Sequence, residues 1–393
     1  MKLVFFCGAL EAGRNGVGDY TRRLAAACVA QGVDCTVIAL HDPNVTRTSD
    51  RSAGNVRLLR LPAAESWPDR LATAARQLQL LEPDWVSWQL VAQAFHPRGF
   101  LPTSLLKQAP TLRGTRCHVM MHELWLGLET GASWRSRGIG WLQRRGLLCL
   151  LDQLDPDCLH TSNPAYQQAL ANEGYDAGIL SLFGNIPVDE KSSGPENPLT
   201  RWLPDLTRPE SAGARPLVAL TFGTLHPQWH PAATVKWFAA TAQRLGRTPA
   251  LVALGRIGDR GAKLLNEFRR QGIPVGLTGE LAAADVSQLL RTADFGIAPH
   301  PWALIGKSGA AAAMLDHGLP VLVPRDEWHL RGGAEADASG VDRLLARLKD
   351  LDAAATDRWL ARRQAPRPAL PRVTAAFLKS LEMAPLHLVP AIR

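Results

Sequence analysis

The amino-acid sequence predicts an α/β protein with two doubly wound domains, each built on a parallel sheet. Short apolar runs alternate with amphipathic helical segments, first over residues 2–162 and again over 216–323. A stretch dense in Pro, Ser, Gly and charge separates the two series, and 393 residues suffice for two domains. We therefore predict an N-terminal domain over 1–187, a linker over 188–214, a C-terminal domain over 215–360 and a tail over 361–393 whose last helix returns to the N-terminal domain.

Each element follows from its local pattern. A buried strand of a parallel sheet is a short apolar run, and a covering helix carries apolar residues at helical spacing between cap and stop signals. The strands predicted for the first domain are Lys2–Cys7, Cys35–Leu40, Asn55–Leu61, Trp85–Leu90, Arg116–Met121 and Cys158–Ser162, with helices at Asp19–Ala30 and Leu71–Leu81. Those of the second are Pro216–Phe222, Ala250–Leu254, Pro274–Leu277, Phe295–Ala298 and Pro320–Val323, with helices at Ala232–Leu245, Lys263–Gln271, Ala283–Thr292 and Lys307–His317. The tail helix is predicted at Val373–Met383.

Composition excludes several classes of protein. The chain is 46% hydrophobic and 20% charged, the balance of a soluble globular protein, and it holds no apolar run long enough to span a membrane. We therefore expect a cytoplasmic protein. Its six cysteines form no C-x2-C pair, so neither a zinc ribbon nor a dithiol redox motif is indicated. Lys and Arg (44) exceed Asp and Glu (36), which favours an anionic ligand or surface.

The loops after the strands are the expected place for chemistry. In open parallel sheets ligands bind at the carboxyl ends of the strands, so we expect the loops of both domains to face a central cleft. The sharpest signal is the turn Gly306-Lys307-Ser308-Gly309 before a predicted helix. Backbone N–H groups at a helix N-terminus, an ammonium and a hydroxyl suit a diphosphate. The P-loop motif of nucleoside triphosphatases is excluded, because Pro301 stands where that motif requires a glycine.

Six motifs follow one another along most of the chain. They are Asn15–Thr21, His122–Trp125, Thr161–Asn163, Gly184–Pro187, Thr278–Leu281 with Asp294, and His317–Val321. In order and spacing they resemble the signatures of the GT-B glycosyltransferases, in particular those of glycosyltransferase family 4. The resemblance implies two Rossmann-like domains, a nucleotide-diphosphate sugar as donor substrate, and no metal or further cofactor. The sequence has no Asp-x-Asp motif at a strand end that would indicate a metal-dependent enzyme.

The resemblance and the local sequence patterns together give the candidate site residues. The catalytic candidates are His122, Glu123 and Asp19. The neutral imidazole of His122, at a strand end, can accept a proton from a hydroxyl or hold a sugar hydroxyl in place. Asp19 either binds acceptor hydroxyls or only caps its helix. The predicted donor-binding residues are Gly16, Gly18, Gly223, Thr224, Arg256, Gly279, Glu280, Gly306, Lys307, Ser308, Gly309 and Asp316, and the predicted acceptor-binding residues are His96, Trp125 and Asn163.

The sequence departs from the family pattern at the donor side. The family's two glutamates would fall at Ile305 and Ala313, and the loop after Gly223 lacks the arginine and lysine that normally hold the diphosphate. Lys307, Ser308 and Arg256 are candidate replacements, and Asp316 is the acid nearest the ribose position. The stretch 306–318 also resembles inverting lipid-linked N-acetylglucosaminyltransferases, so the anomeric outcome stays open.

The expected function is therefore sugar transfer to a glycan, lipid-linked or small-molecule hydroxyl, in bacterial polysaccharide or glycoconjugate synthesis. A catalytically degenerate sugar-nucleotide-binding protein and a sugar-nucleotide 2-epimerase are the alternatives. An NAD-dependent dehydrogenase is less favoured, because its glycine pattern would require a glycine at Thr21. Aromatic and basic residues within Trp134–Leu151 are typical of a helix that lies on an anionic membrane, which suggests peripheral contact with the inner membrane. No nucleic-acid-binding module is recognisable.

Overall fold

The computed structural model describes residues 1–189, 198–203, 215–333 and 342–385. The chain divides into two compact units. Unit 1 holds the described parts of Met1–Ser181, Leu330–Glu335 and Leu370–Arg393, and unit 2 holds those of Leu182–His329 and Ala336–Ala369. Most of the predicted linker 188–214 and the end of the tail lie outside the described residues.

The strands and helices alternate along both units. The strands are β1 (Lys2–Cys7), β2 (Asp34–Asp42), β3 (Ser49–Ala53), β4 (Val56–Pro62), β5 (Trp85–Leu90), β6 (Arg116–Met121), β7 (Cys158–Thr161), β8 (Gly178–Ile179), β9 (Leu217–Phe222), β10 (Pro249–Leu254), β11 (Val275–Leu277), β12 (Phe295–Ile297), β13 (Val321–Val323) and β14 (Leu345–Arg347). The α-helices are α1 (Gly16–Val29), α2 (Trp67–Leu81), α3 (Thr103–Gln108), α4 (Trp134–Leu154), α5 (Pro164–Ala171), α6 (Ala232–Arg244), α7 (Gly258–Arg270), α8 (Ala283–Thr292), α9 (Gly309–Asp316), α10 (Ala353–Leu360) and α11 (Leu370–Met383). Short 3-10 helices lie at Ala92–Ala94, Ala109–Leu112, Trp302–Lys307 and Leu348–Asp350.

The sheet of unit 1 has the order β3-β4-β2-β1-β5-β6-β7-β8, and its described strands pair in parallel except β3 with β4. From β1 the strand order runs outward in both directions, so β1 and β5 form the switch point of the sheet. The last helix, α11, packs on this sheet. The ring of its Phe377 lies 6.0 Å from that of Phe5 and 5.0 Å from the imidazole of His118.

The sheet of unit 2 is parallel throughout its described strands, in the order β11-β10-β9-β12-β13-β14. Its switch point lies between β9 and β12. Phe295 begins β12 at the centre of one core layer, where its ring lies 5.2 to 5.8 Å from those of Trp237, Phe238 and Trp359. Burying one such side chain contributes about 1.5–3 kcal/mol, so this aromatic cluster is a main source of stability in unit 2.

Several bounds agree with the sequence prediction and others differ for identifiable reasons. β5, β6 and α8 begin and end where their patterns predict. β3 was not predicted, because its sequence Ser-Asp-Arg-Ser-Ala is polar and mostly exposed. β14 and α10 were not predicted either. The predicted helix Lys307–His317 begins only at Gly309, because residues 302–307 form a 3-10 helix and Ser308 is the N-cap.

Candidate functional site

The loop after β1 packs tightly against the start of α1. The Asn15 side chain accepts a hydrogen bond from the backbone N–H of Gly18 at 2.8 Å and so caps the helix. A Cβ on Gly18 would lie 2.2 Å from the carbonyl oxygen of Ala9, so no larger residue fits there. Gly16 opens the helix. Close packing explains Gly18, whereas a Cβ on Gly16 would meet no atom within 4 Å. Contact of either glycine with a donor stays a prediction.

Asp19 stabilises this loop from within. Its two carboxylate oxygens accept the N–H of Gly13 at 3.1 and 3.2 Å, and one of them accepts Nη2 of Arg22 at 2.7 Å. Asp19 is only 9% exposed. These contacts favour the structural role that the sequence left open for this carboxylate, and a bond to an acceptor hydroxyl stays a prediction.

Asp42, at the end of β2, holds the same loop from the sheet side. It is fully buried and accepts the N–H of Leu10 at 3.0 Å and Nε of Arg60 at 2.7 Å. In a dinucleotide site an acid at this position binds the ribose. Because the carboxylate of Asp42 is buried and engaged by its own chain, the geometry gives no support to a dehydrogenase.

His122 lies at the carboxyl end of β6, beside the switch point of unit 1. Its Nε2 donates to Oε1 of Gln89 at 2.9 Å, and the ring of Tyr20 from α1 meets its ring edge-on at 4.9 Å. Burial lowers the pKa of His122 to about 3, so the imidazole is neutral at physiological pH. With Nε2 donating to Gln89, the tautomer presents Nδ1 as an acceptor.

The other predicted residues of unit 1 lie around the same sheet edge. Glu123 and Trp125 follow His122, and Trp125 is buried. Asn163 is the N-cap of α5: its Oδ1 accepts the N–H of Tyr166 at 3.0 Å, and its Nδ2 is buried without a hydrogen-bond partner among the described residues. His96 lies in the loop after β5, stacked on Phe100 at 5.5 Å. The structure therefore brings His122 and Asn163 to the carboxyl ends of β6 and β7.

Four basic side chains meet at the switch point of unit 2. We call His226, His300, Lys307 and Arg325 the basic cluster. His226 follows β9, His300 follows β12, Arg325 follows β13, and Lys307 ends the 3-10 helix 302–307. The two imidazole rings lie 6.3 Å apart. Backbone pairing fixes the loops, because the N–H of Trp302 donates to the carbonyl of Arg325 at 2.8 Å.

Arg325 was not found by sequence reasoning, although it is the most buried cation of this cluster. The residue is 4% exposed. Its Nε donates to Glu327 at 2.6 Å and its Nη2 to Oε1 of Gln228 at 3.1 Å. Its Nη1 is buried and has no hydrogen-bond partner among the described residues, and neither has Nδ1 of His300. A buried guanidinium that keeps an N–H group without a hydrogen-bond partner is suited to binding an anion.

The electrostatics of the basic cluster agree with an anion site. Burial, together with the positive charges of Arg325 and Lys307, lowers the pKa of His226 to about 4. Burial, Lys307, His226 and Arg325 lower the pKa of His300 to about 4. Both imidazoles are therefore neutral hydrogen-bonding groups at pH 7, beside two permanent cations. A diphosphate bound here would neutralise those cations.

The remaining predicted donor residues divide into two groups. The first group lies with the basic cluster: Gly223 and Thr224 follow β9, Gly306 and Lys307 end the 3-10 helix after β12, Ser308 caps α9 and Gly309 begins it. Ser308 accepts the N–H of Ala311 at 3.2 Å as N-cap of α9 and is 2% exposed. Arg256 and Glu280 instead pair with each other at 2.5 Å, both exposed, beside a backbone bridge between Gly255 and Gly279. The structure thus gives Arg256 a surface ion pair.

Asp316 is a buried structural carboxylate. It is 4% exposed, and its two oxygens accept the backbone N–H groups of Gly184 at 2.9 Å and of Ala369 at 3.1 Å. Binding of the ribose by this residue stays a prediction, and its oxygens already have these donors.

Replacing Asp316 by alanine is expected to lower the free energy of unfolding by about 2–4 kcal/mol. Two backbone donors, that of Gly184 being buried, would lose a charged acceptor, and each such loss costs about 1–3 kcal/mol. Urea denaturation followed by tryptophan fluorescence measures the change. Asp357→Ala is the matched control, because Asp357 is half exposed in its pair with Arg244 and its removal should leave stability nearly unchanged. Equal stability of the two variants would contradict the structural role.

None of the described helices combines the length and apolarity that crossing a bilayer requires.

Comparison with known proteins identifies the fold. Residues 15–186 match the glycosyl transferase 4-like domain. No curated protein matches the chain significantly. Among solved structures, Anabaena HepE in complex with UDP and glucose is similar at 14% identity, over 97% of this chain and 99% of its own, with a TM-score of 0.58. The lipopolysaccharide outer core galactosyltransferase WaaB is similar at 14% identity, over 98% and 99%, with a TM-score of 0.54. A UDP-N-acetylglucosamine 2-epimerase from Listeria monocytogenes is similar at 12% identity, over 97% and 96%, with a TM-score of 0.55.

These likenesses confirm the predicted fold class. The chain has the GT-B architecture of two Rossmann-like domains, and its N-terminal part resembles glycosyltransferase family 4.

Proposed function

We propose that this chain is a glycosyltransferase that moves a sugar from a nucleoside diphosphate donor to a hydroxyl acceptor. The observation that carries the proposal is the basic cluster at the switch point of unit 2, where the loops of an open parallel sheet bind ligands. Its chemistry suits a diphosphate, and the family match and the GT-B fold support sugar transfer as the reaction.

The basic cluster would act on the leaving group. When the bond between the sugar and the diphosphate breaks, negative charge develops on the departing phosphate oxygens, and fixed cations stabilise that charge. Arg325 and Lys307 supply the cations. The neutral imidazoles of His226 and His300 supply N–H donors without adding charge in the resting protein. This arrangement would replace the cations and glutamates that the family pattern places elsewhere.

His122 would act on the acceptor side. A pKa of about 3 makes its imidazole a poor proton acceptor at physiological pH, which favours holding a sugar hydroxyl through the Nδ1 lone pair over general base catalysis. Hydrogen bonding to Gln89 fixes the orientation of the ring.

Calorimetric titration with UDP, GDP, dTDP and NAD tests the proposal. We expect one nucleoside diphosphate to bind with micromolar affinity and NAD not to bind. UDP is the first choice, because HepE is described in complex with UDP and the Listeria relative as acting on a UDP-sugar. Absence of binding by all three diphosphates would contradict a donor site, and tight binding of NAD would favour a dehydrogenase.

Product analysis separates transfer from its alternatives. A transferase releases the nucleoside diphosphate and lengthens an acceptor. A sugar-nucleotide 2-epimerase, which shares the fold, isomerises the donor without change of mass. A catalytically degenerate binding protein binds the donor but neither transfers its sugar nor isomerises it. Chromatography of the nucleotide products after incubation with glycan, lipid-linked and small-molecule acceptors distinguishes the three outcomes.

One face of α4 supports the further proposal of a peripheral membrane contact. Trp134 is 76% exposed and Trp141 is 52% exposed, and the guanidinium groups of Arg135 and Arg145 lie over their rings at 5.2 and 5.0 Å. Exposed indole rings beside arginines are suited to the interface of an anionic bilayer. A lipid-linked acceptor at the inner membrane would fit this contact.

Replacing Trp134 and Trp141 together by serine is expected to lower the fraction of protein bound to phosphatidylglycerol vesicles by at least about fivefold, since insertion of the rings is lost. Vesicle sedimentation at low ionic strength measures the bound fraction. Leu80→Ser is the control, because Leu80 is a 72% exposed apolar residue of a different helix, α2. An equal loss in both proteins, or no binding of the unmodified chain, would contradict the proposal.

A further inference from the structure

A line of buried polar side chains crosses one face of the sheet in unit 1. It begins at His122, whose Nε2 bonds to Gln89, and Nε2 of Gln89 donates to Oγ of Ser87 at 2.8 Å. Oγ of Ser87 lies 2.8 Å from Nδ1 of His118. Ser87 and His118 are fully buried. The strand register produces this line, because Ser87 of β5 lies opposite His118 of β6.

The line ends in two histidines and a cysteine. Nε2 of His118 lies 3.0 Å from Nδ1 of His160, and Sγ of Cys158 lies 3.6 Å from the same nitrogen. Cys158 and His160 are two residues apart on β7 and share a face, and Cys158 lies opposite His118 in the register. The three ligand atoms lie within 4.8 Å of one another.

We propose that His118, Cys158 and His160 form a binding site for a thiophilic transition-metal ion, in the first instance Zn²⁺. In tetrahedral zinc coordination, Zn–N bonds of about 2.0–2.1 Å and a Zn–S bond of about 2.3 Å place two nitrogens about 3.3 Å apart and nitrogen and sulfur about 3.6 Å apart. The distances of 3.0 and 3.6 Å in the structure are close to both. Two imidazoles and a thiolate are ligands that zinc prefers over magnesium or calcium.

The hydrogen-bond geometry around the three ligands supports a cation. Nδ1 of His160 has a single lone pair, yet both Nε2 of His118 and Sγ of Cys158 lie within hydrogen-bonding distance of it. The three atoms therefore converge on one point, although the thiol of Cys158 also has the side chain of Ser380 as a hydrogen-bond partner. A metal ion at that point would take one lone pair from each of the three atoms.

Ser87 gives His118 the support that a metal-bound histidine requires. Ligating histidines usually donate their second N–H to an oxygen, which fixes the tautomer. With Nε2 on the metal, Nδ1 of His118 carries the proton and donates to Oγ of Ser87. Binding at Cys158 releases one proton, that of the thiol, and the three protein ligands leave a fourth position to water.

Metal binding would also reverse the direction of hydrogen-bond donation along this line of polar side chains. Once Ser87 accepts from His118, its own hydroxyl proton needs an acceptor, which Gln89 supplies if its amide turns by half a rotation. The amide nitrogen of Gln89 then donates to Nε2 of His122, and His122 changes to the tautomer that carries its proton on Nδ1. The proposed site is therefore coupled to His122 through three hydrogen bonds.

Cobalt and zinc titrations test the site without any assay of activity. The full chain is purified with a tag other than polyhistidine, stripped of metal by a chelator and titrated with Co²⁺. We expect one equivalent to bind with a thiolate-to-cobalt charge-transfer band in the near ultraviolet, and Zn²⁺ to displace it. Cys158→Ser should abolish the band and weaken zinc binding by more than about 100-fold, and Ser87→Ala should weaken it by about 10- to 100-fold.

The exposed Cys149 on α4 provides the matched control, because Cys149→Ser should leave the cobalt band unchanged. His160→Gln serves as a second ligand variant if Cys158→Ser does not fold. Failure of the stripped protein to bind one equivalent, or a cobalt band that survives both ligand substitutions or disappears in Cys149→Ser, would overturn the proposal.

Discussion

Replacing Arg325 by alanine is expected to weaken binding of the preferred nucleoside diphosphate by about 10- to 150-fold. A charge-assisted hydrogen bond to an anion is worth about 1.5–3 kcal/mol, and this guanidinium is held in place by Glu327 and Gln228 before the ligand arrives. Isothermal titration calorimetry measures the affinity. Arg325→Lys keeps the charge without the planar fork, and we expect an intermediate loss.

Two further variants make this test decisive. Arg244→Ala removes a cation of the same unit from an exposed pair with Asp357 and should change the affinity by less than about twofold. Lys307→Ala should weaken binding by about tenfold, and it provides the test if the buried Arg325 proves necessary for folding. Wild-type affinity in folded Arg325→Ala and Lys307→Ala proteins would show that the basic cluster does not hold the donor.

Replacing His122 by alanine is expected to lower kcat/KM for transfer by about 10-fold and to leave the affinity for the nucleoside diphosphate unchanged. The loss follows from a sugar hydroxyl that is no longer held at the carboxyl end of β6. His122→Gln should recover part of the activity, because an amide can bond both to Gln89 and to a hydroxyl. Steady-state kinetics with the identified acceptor, beside calorimetry of donor binding, measure both quantities.

The pH profile distinguishes the two roles open to His122. With a pKa of about 3, the imidazole stays neutral well below the ordinary value of 6.5, so kcat/KM should show no fall due to His122 between about pH 8 and about pH 5. An acid limb near 6.5 that disappears in His122→Gln would show that His122 acts as a base with an ordinary pKa, and it would contradict the holding role.

Local patterns predicted the fold well, because parallel sheets bury their strands. The runs of β5 and β6 are apolar enough to define their ends, and α8 shows the helical period clearly. β3 carries no such signal, because it lies at the edge of the sheet and exposes most of its polar residues.

The site was harder to predict, because strand order brings its parts together. Lys307 was found from a glycine-rich turn that local sequence reveals. Arg325 follows an ordinary apolar strand, and only the adjacency of β12 and β13 brings it to His300. His118 and Cys158 are far apart in sequence and form no metal motif, so the register of β6 and β7 alone unites them.

Unit 1 can complete its fold only after α11 has been synthesised, late in translation. Unit 1 takes its last helix from the end of the chain: Phe377 covers Phe5 and His118, and Nη2 of Arg116 donates to the carbonyl of Ala384 at 2.5 Å. A ribosome adds about 5–20 residues per second, so roughly 10–40 s pass between synthesis of Ser181 and of Leu370. During that interval the nascent first unit lacks the helix that covers Phe5 and His118, and it exposes this part of its sheet. The protein should therefore depend on chaperones during synthesis more than a chain whose domains are each completed in turn.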